Sequence, residues 1–518
     1  MKKQITTFML FVAASFCSPK AYAQNFVVDT IIDDVIYNCY DNGEAEVFRW
    51  SDIEIGKAFI PEEVEVDGVM YKVTSIAAEA FRGCRLLDTI QLPQTVTKIG
   101  RKAFEGCHCL ETINLPEGLK TIEMECFIEC LDLQQITFPE SLETIEANAF
   151  GYCSNLSSVT FPSNVTKIGS NAFSQCKQLS EITFNNKQEI CTSAFSLCKA
   201  LTEVYIPDGV KVNDWVFEGC VYLETVRLPE DLDKISDGLF SSCNSLVNVN
   251  IPKTVTSIGF EAFRNCYYIK SIDIPEGVTV IDAYAFDGCA SLAELNLPST
   301  LTKLNYACFS HCTDLKEIVI PEGVKRIGGE AFFACPNVTS VSLPESLEEI
   351  GFDSFAGLSE LTSIVLPKNL KLISDYAFEA CPKLQDIYSL SIVPPTANEN
   401  EFGNKIFFDD TTYRKSTLYV PVGSLESYQE TPGWKEFKNI LEDEKLGVNN
   451  VTEDAQNTAN LGIVVNNGVL RVNAVGETIQ VIDMNGSEVY CGTSSSISLK
   501  QGIYLVRVGN RTAKVTVL

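Results

Sequence analysis

A phenylalanine recurs every 23 residues through the middle of the chain, with two steps of 22 residues around Phe195. A cysteine follows three residues after each one, except in the unit where Leu358 takes that place. The fourteen phenylalanines are Phe81, Phe104, Phe127, Phe150, Phe173, Phe195, Phe217, Phe240, Phe263, Phe286, Phe309, Phe332, Phe355 and Phe378. A fixed period of this length is typical of a stacked array whose units contact only their neighbours. The sequence therefore predicts a repeat solenoid.

The unit that begins at Phe81 predicts the layout of one coil. Ile90 and Leu92 are two residues apart, so both point to one face of an extended strand, and Pro93 ends that strand. Residues 96–99 fit a second short strand, whereas the closer apolar spacing at residues 80–84 predicts a short helical or irregular turn. Such a coil covers its apolar face only by stacking on another coil. Because one coil holds two short strands, the solenoid is expected to be rich in β-structure.

The thirteen cysteines of the repeat are interpreted as small buried residues that fill the inside of a turn. Stacked coils would hold neighbouring cysteines roughly 4.8 Å apart with parallel Cβ vectors, which does not suit a disulfide. Zinc sites use closely paired Cys and His ligands, and the chain has only two histidines, His108 and His311. Cys107-His108-Cys109 resembles part of a metal site, but Cys107 belongs to the repeat. We expect no metal and no cofactor.

The first 23 residues have the pattern of a secretory signal peptide. Lys2 and Lys3 precede an apolar stretch at residues 8–16, and Ala21-Tyr22-Ala23 is a small-x-small cleavage site. Cys17 offers the alternative of a lipidated cysteine. No later stretch has about 18 uninterrupted apolar residues, so the sequence predicts an exported protein without a transmembrane segment.

Shorter segments without the repeat flank the solenoid. The predicted organisation is a signal peptide at residues 1–23, an N-terminal β cap at 24–75, a solenoid of about fourteen repeats at 76–388, a C-terminal cap at 389–442, a linker at 443–460 and a small all-β, sandwich-like domain at 461–518. Two alternatives stay open. The aromatic residues around Trp434 form either part of the cap or a binding site, and Asn185, which replaces the repeat proline, marks either a tolerated irregularity or a bend.

The composition argues against several classes of function. A formal net charge of −28 disfavours nucleic acid and anionic membranes as partners, because both attract Lys and Arg. Two histidines outside any motif disfavour a His-based nucleophile, and no phosphate-binding, zinc-protease or serine-hydrolase motif is present. A glycosidase carboxylate pair is the remaining enzymatic hypothesis. We expect a protein without catalytic residues.

The motif Ala-Phe-x-x-Cys-x-x-Leu-x-x-Ile-x-Leu-Pro resembles the BspA-type leucine-rich repeat (LRR) of bacterial surface proteins and covers about 310 residues. This resemblance implies a solenoid used for adhesion to host proteins or other cells. Residues 481–486, 502–506 and 514–517 resemble a type A sorting domain of the type IX secretion system, although the usual Pro-Asn-Pro opening is absent. The second resemblance implies export to the cell surface.

The candidate ligand surface is the set of residues between the two apolar positions of each predicted first strand. We call it the first-strand column: Gln91, Asn114, Thr137, Thr160, Thr183, Tyr205, Arg227, Asn250, Asp273, Asn296, Val319, Ser342 and Val365. Tyr205 and Arg227 are of the types that dominate binding energy. The predicted function is a cell-surface or secreted, adhesion-type module that binds an extracellular protein or glycan. The alternatives are that the column only faces water and that the protein is an envelope spacer without a specific ligand.

Overall fold

The computed structural model describes residues 26–50, 56–397, 410–444, 446, 463–466, 469–472, 478–483, 488–494, 496–499, 502–508 and 511–517. The predicted signal peptide, Cys17 and most of the predicted linker lie outside these residues. Within them, no helix has the length and apolar character needed to cross a membrane.

The repeat region is a β-solenoid in which most coils contribute two short strands. The coil after Phe127 lacks the first strand, and the coil after Phe217 has a single bridge, from Ile235 to Ile258, in place of the second. The first strands are Thr89–Gln91, Thr112–Ile113, Ser158–Thr160, Glu181–Thr183, Glu203–Tyr205, Thr225–Arg227, Asn248–Val249, Ser271–Asp273, Glu294–Asn296, Glu317–Val319, Ser340–Ser342, Ser363–Leu366 and Asp386–Ser389. The second strands are Lys98–Ile99, Thr121–Ile122, Thr144–Ile145, Lys167–Ile168, Glu189–Ile190, Lys211–Val212, Ser257–Ile258, Val280–Ile281, Lys303–Leu304, Arg326–Ile327, Glu349–Ile350, Leu372–Ile373 and Thr396–Ala397. The repeat solenoid and the β-rich coil are thus confirmed.

Strands of successive coils pair in parallel and keep the repeat in register. Ile122 pairs with Ile145, and Ile145 pairs with Ile168. The second strands form the longer sheets, of five and seven strands, whereas the first strands form several shorter sheets. Parallel pairing in register brings equivalent side chains of neighbouring coils side by side, so any property of one repeat position becomes a row along the solenoid.

The repeat phenylalanines form a buried stack along the core. All fourteen are fully buried, and neighbouring rings lie nearly parallel, as in Phe104 and Phe127, whose centroids are 5.2 Å apart at an interplanar angle of 1°. Burial of one such side chain stabilises a protein by about 1.5–3 kcal/mol. Because each ring packs on the rings of two neighbouring coils, this stabilisation depends on the intact stack.

The repeat cysteines are also buried, as expected for residues that fill the turn. From Cys107 onward, the Sγ donates to the carbonyl oxygen of the repeat phenylalanine one coil earlier, for example Cys153 to Phe127 at 3.1 Å and Cys176 to Phe150 at 3.3 Å. All cysteines of the described residues are free thiols. The cysteine is therefore a donor that links two coils.

The segment predicted as a helical or irregular turn is irregular. Glu79 and Gly83 have left-handed backbones, with φ of 62° and 73°. As a result the amides alternate in direction. Phe81 N donates to Ala103 O of the next coil at 2.8 Å, whereas Cys84 N donates within the turn to Phe81 O at 3.1 Å. A helix would keep all these bonds inside one segment, whereas the observed turn uses half of them to join coils.

The coil without the proline continues the stack. Asn185 Nδ2 donates to Pro162 O at 2.6 Å and to Val165 O at 3.0 Å, which ties the altered turn to the preceding coil. Phe173 and Phe195 still stack at 5.3 Å, and Ile168 still pairs with Ile190. The structure therefore favours the tolerated irregularity over a bend.

The N-terminal segment is a sheet that leads into the solenoid. The strands of this sheet are Phe26–Ile32, Val35–Tyr40, Glu44–Trp50, Glu63–Val66 and Val69–Ile76. A further strand, Lys57–Phe59, belongs to a separate sheet with the first strands of the solenoid. Val69–Ile76 pairs in parallel with the second strand of the first coil. Lys57–Phe59 pairs in parallel with the first strand, with Phe59 opposite Gln91. Both rows of strands therefore begin in this segment.

The C-terminal part closes the stack and ends in a β region. Helices Asp410–Lys415 and Leu425–Glu430 alternate with strands Thr417–Pro421 and Asn439–Asp443, and these strands extend the row of first strands in parallel. The β region forms two sheets, whose strands are Ile463–Asn466, Val469–Val472 and Ser496–Ser498 in one, and Ile479–Asp483, Glu488–Gly492, Gly502–Val508 and Arg511–Val517 in the other.

Candidate functional site

The structure places the first-strand column as a row on the outer face of the first strands. The flanking apolar residues point inward, as Val204 and Val226 do beside Tyr205 and Arg227. The ten positions from Gln91 to Asn296 are exposed. This row offers polar side chains in register, and it is open along ten consecutive coils.

Tyr205 and Arg227 contact each other within the column. They are directly paired across neighbouring strands, and the Arg227 guanidinium carbon lies 5.0 Å from the centroid of the Tyr205 ring. Tyr205 remains 54% exposed. The pair holds a flat aromatic surface and a cation in a fixed arrangement, which reduces the entropy lost when a partner binds.

A groove of about 720 Å³ lies at the N-terminal end of the column and is lined by Gln91, Asn114, Thr137 and Phe59. Asn114 is held in place because its side-chain amide exchanges two hydrogen bonds with the backbone of Leu92, at 2.8 and 3.0 Å. Phe59 is 67% exposed. The groove thus combines an apolar ring with the fixed amide of Asn114.

Phe59 was missed by the sequence analysis. It occupies the column position of a coil that has no repeat phenylalanine before it. The sequence does indicate this position, because Ala58-Phe59-Ile60-Pro61 has the same spacing as the first strand of a repeat and the proline that ends it. Tyr388 and Tyr419 extend the column at the other end, where they pair with each other and stack at 4.7 Å. Val420-Pro421 follows Tyr419 with the spacing of the repeat, whereas no proline stands at that position after Tyr388.

The last three predicted positions differ from the rest. Ser342 is buried, with 8% exposure, and its Oγ has no hydrogen-bond partner. Val319 and Val365 beside it are only partly exposed. In the same region Glu317 contacts Arg471 of the C-terminal β region at 3.6 Å. The expectation of exposed side chains is therefore wrong for Ser342, because the wider valines on both sides flank its short side chain.

The turn carboxylates connect coils instead of facing one another. Glu276 accepts hydrogen bonds from Ser299 N at 3.0 Å and Ser299 Oγ at 2.9 Å, and the Ser299 backbone N–H is the main cause of the lowered pKa of Glu276. Glu322 likewise accepts from Glu345 N at 3.0 Å. These carboxylates hold neighbouring turns together, which is a structural role.

Two motifs that could have marked a metal site or an aromatic binding site have structural roles. Cys107 is buried in the cysteine row, and His108 lies 3.8 Å from Glu129. No group of three metal-ligating side chains occurs among the described residues. Trp434 is fully buried, and its Nε1 donates to Pro395 O at 2.8 Å. The aromatic cluster around Trp434 therefore packs the cap and does not present an open binding site.

The family model for the BspA type leucine rich repeat region matches residues 74–202, 188–316 and 279–414, with six copies. Together these stretches cover more than half of the chain. The protein belongs to the BspA-type leucine-rich repeat family. The first-strand column is thus the outward strand surface of a BspA-type repeat, and the repeat phenylalanines form the core of that repeat.

Solved structures of leucine-rich repeat proteins resemble this BspA-type protein. One from Bacteroides ovatus is 26% identical, with a TM-score of 0.62 over 80% of this chain and all of that chain. A leucine rich cell surface protein from Faecalibacterium prausnitzii is 24% identical, with a TM-score of 0.43 over 83% of this chain and 99% of that one. The pneumococcal vaccine antigen PcpA is 20% identical, with a TM-score of 0.44 over 80% and 99%. The comparison with curated proteins gives no match.

Proposed function

We propose that the protein is an exported surface module that binds an extracellular protein or glycan through the first-strand column and catalyses no reaction. The observation that carries this proposal is the exposed row from Phe59 to Asn296, with the Tyr205–Arg227 pair at its centre and a groove at one end. Membership of a family of repeat proteins supports a binding role over catalysis.

The chemistry of the row suits a polar partner. Short amides and hydroxyls at Gln91, Asn114 and Thr137 offer hydrogen bonds, and Phe59 and Tyr205 add aromatic surface. Buried aromatic and arginine anchors supply most of the binding energy in such interfaces. We therefore expect the affinity to depend on the two rings and on Arg227 more than on the surrounding polar residues.

A binding screen against extracellular-matrix proteins and glycans tests the proposal. The partner captured by the intact protein should lose at least tenfold affinity with the Tyr205→Ala/Arg227→Ala double variant. Tyr222→Ala is the matched control, because Tyr222 is an exposed tyrosine on a turn and lies outside the column. Unchanged binding by the double variant would contradict the surface assignment.

Export is proposed from the N-terminal signal pattern and from the resemblance of residues 461–518 to a type IX sorting domain. Deletion of that C-terminal region should trap the protein in the periplasm, and protease treatment of intact cells should digest the full-length protein only. An envelope spacer is the second candidate function. It would be favoured by a protein that stays inside the outer membrane and captures no partner in the screen.

A further inference from the structure

A row of aromatic side chains runs along a corner of the solenoid that the proposed binding surface does not use. The corner follows each second strand and precedes each repeat phenylalanine. We call it the corner ladder: Trp215, Phe260, Tyr284, Tyr306 and Phe352. Their ring centroids are separated in turn by 6.4, 5.9, 5.2 and 5.8 Å. The rings thus form one continuous series.

Glycines allow the series to cross coils that have no aromatic residue at the corner. Trp215 and Phe260 are two coils apart, and Gly238 lies between them, where a Cβ would collide with the Trp215 indole. Tyr306 and Phe352 are also two coils apart, and a Cβ on the intervening Gly329 would lie 2.6 Å from the Phe352 ring. The backbone therefore provides space for rings that reach across a whole coil.

The corner ladder runs from the seventh to the thirteenth of the fourteen coils. In the N-terminal half the same corner carries ion pairs, such as Arg101 and Lys102 with Glu125, both at 3.1 Å. Ion pairs on a surface are a common way to keep it soluble. The later coils instead place aromatic rings at this corner, and Phe352 is 45% exposed. Partly exposed aromatic residues in a row indicate an interaction surface.

The surroundings of the corner ladder favour a cation as the group that covers the rings. Arg264 lies over the Tyr284 ring at 5.1 Å, and it is held there by Glu261 at 2.8 Å and Asp287 at 3.1 Å. This contact shows a guanidinium bound by one ring and flanking carboxylates. A positive charge near an aromatic face is stabilised by the ring quadrupole.

The C-terminal end of the corner ladder repeats the combination of ring and carboxylate. The Tyr306 hydroxyl donates to Glu330, and Asp353 follows Phe352. Burial is the main cause that raises the pKa of Asp353 to about 6, and the nearby carboxylates of Glu379, Glu330 and Asp375 contribute to the same rise. The side of the ladder that carries these groups therefore has a negative potential.

The opposite side of the ladder is less acidic. A groove of about 450 Å³ beside Tyr306 and Phe352 is lined by Lys303 and Arg326 as well as Glu349, and Arg326 pairs with Glu349 at 3.1 Å. A cationic partner is therefore directed toward the carboxylate side of the rings. The four ring-to-ring steps together match the length of roughly seven residues of extended chain at about 3.3 Å per residue.

We propose that the corner ladder binds an extended, Lys- or Arg-rich protein segment, with its cations over the rings and against the adjacent carboxylates. This surface is separate from the first-strand column, and the proposal does not depend on the function proposed for that column.

Titration with a nine-residue peptide of alternating lysine and serine, at physiological salt, tests the proposal. Trp215 reports binding directly, because it is partly exposed while the other two tryptophans, Trp50 and Trp434, are buried. We expect saturable quenching or a shift of the tryptophan emission. The same peptide with glutamine in place of lysine should give no change.

Variants distinguish the corner ladder from general attraction to an acidic protein. Phe352→Ala removes an exposed ring, and Gly329→Ala displaces the same ring without deleting it; both should weaken peptide binding at least fivefold. Tyr268→Ala is the control, because Tyr268 is 56% exposed and lies on a turn outside the ladder, and it should change the affinity less than twofold.

Three results would overturn the proposal. They are full affinity in Phe352→Ala, an equal loss in Tyr268→Ala, and ring-dependent binding of a neutral oligosaccharide such as cellohexaose in place of the cationic peptide. Circular dichroism of each variant shows whether the fold is retained, and Gly329→Ala provides the second test if Phe352→Ala does not fold.

Discussion

The thiol of Cys107 lies 3.1 Å from the carbonyl oxygen of Phe81, one coil earlier in the solenoid. Equivalent contacts recur along the solenoid as far as Cys381, whose thiol lies 3.4 Å from the carbonyl oxygen of Phe355. The two most regular positions of the sequence are therefore joined by a hydrogen bond between coils. A cysteine suits this position because it is small enough for the turn and still provides a donor.

Cys153→Ala should lower the free energy of unfolding by about 1–2 kcal/mol, because it removes a buried hydrogen bond and leaves a small cavity. Urea denaturation followed by circular dichroism measures the change. Cys491→Ala is the control, since Cys491 is exposed in the C-terminal β region, and it should leave the stability unchanged. Equal stability of Cys153→Ala and the parent protein would contradict a role for the thiol in joining coils.

The repeat cysteines should resist alkylation in the folded protein. Burial raises the pKa of Cys84 to about 11 and of Cys220 to about 12, so both are neutral thiols at neutral pH. Mass spectrometry after maleimide treatment should find rapid labelling at Cys491 and slow labelling at the buried positions. All should react once urea unfolds the chain. Rapid labelling of Cys220 in the native protein would contradict the buried arrangement.

Phe150→Ala should destabilise the solenoid by about 3–5 kcal/mol, since it opens a cavity in the phenylalanine stack. Phe150 contacts Phe127 and Phe173 at 5.2 and 5.1 Å. Phe59→Ala is the matched control, because the Phe59 ring is largely exposed, and it should cost less than about 1 kcal/mol. Thermal unfolding of both variants measures the difference, and equal midpoints would contradict the stacked core.

Asp353→Asn should stabilise the protein at pH 7.5 and have little effect at pH 4. The pKa of Asp353 is raised from about 3.8 to about 6 by burial and by nearby carboxylates. A raised pKa of an acid means that the folded state binds more protons, so its stability falls as the pH rises from about 4 to 6. The uncharged variant avoids this loss, so its free energy of unfolding at pH 7.5 should be higher by about 1 kcal/mol after allowance for solvent screening.

Thermal unfolding at the two pH values measures this effect. Asp273→Asn is the control, because Asp273 is an exposed carboxylate of the first-strand column. This substitution should change the unfolding midpoint only slightly at either pH. If Asp353→Asn raises the unfolding midpoint no more at pH 7.5 than at pH 4, the result would contradict repulsion between the carboxylates.

Much of the fold was predictable because a 23-residue period places equivalent residues in contact. The Phe and Cys rows, the two strands per coil and the exposed first-strand positions as far as Asn296 follow from that period and from alternation along a strand. The turn was predicted only as helical or irregular, and the structure has the irregular form. Apolar spacing at residues 80–84 resembles a helix, but left-handed residues such as Glu79 redirect alternate amides to the next coil.

The corner ladder was not predictable from a single repeat position. Trp215 and Tyr284 stand two residues before their repeat phenylalanine, whereas Phe260, Tyr306 and Phe352 stand three residues before theirs. No column of the aligned repeat contains all five rings. Only the arrangement in space, with Gly329 leaving room between two coils, brings them together.

The central claim is that the coils are interchangeable units of one stack, and deletion of one whole coil tests it most directly. Removing residues 264–286 leaves Phe263 and Phe309 at the usual spacing of 23 residues. We predict the circular dichroism spectrum of a folded β-protein and a single cooperative thermal transition. Removal of residues 264–275 breaks the register and should prevent cooperative folding. Loss of the fold in the whole-coil deletion, or equal behaviour of the two deletions, would contradict this account.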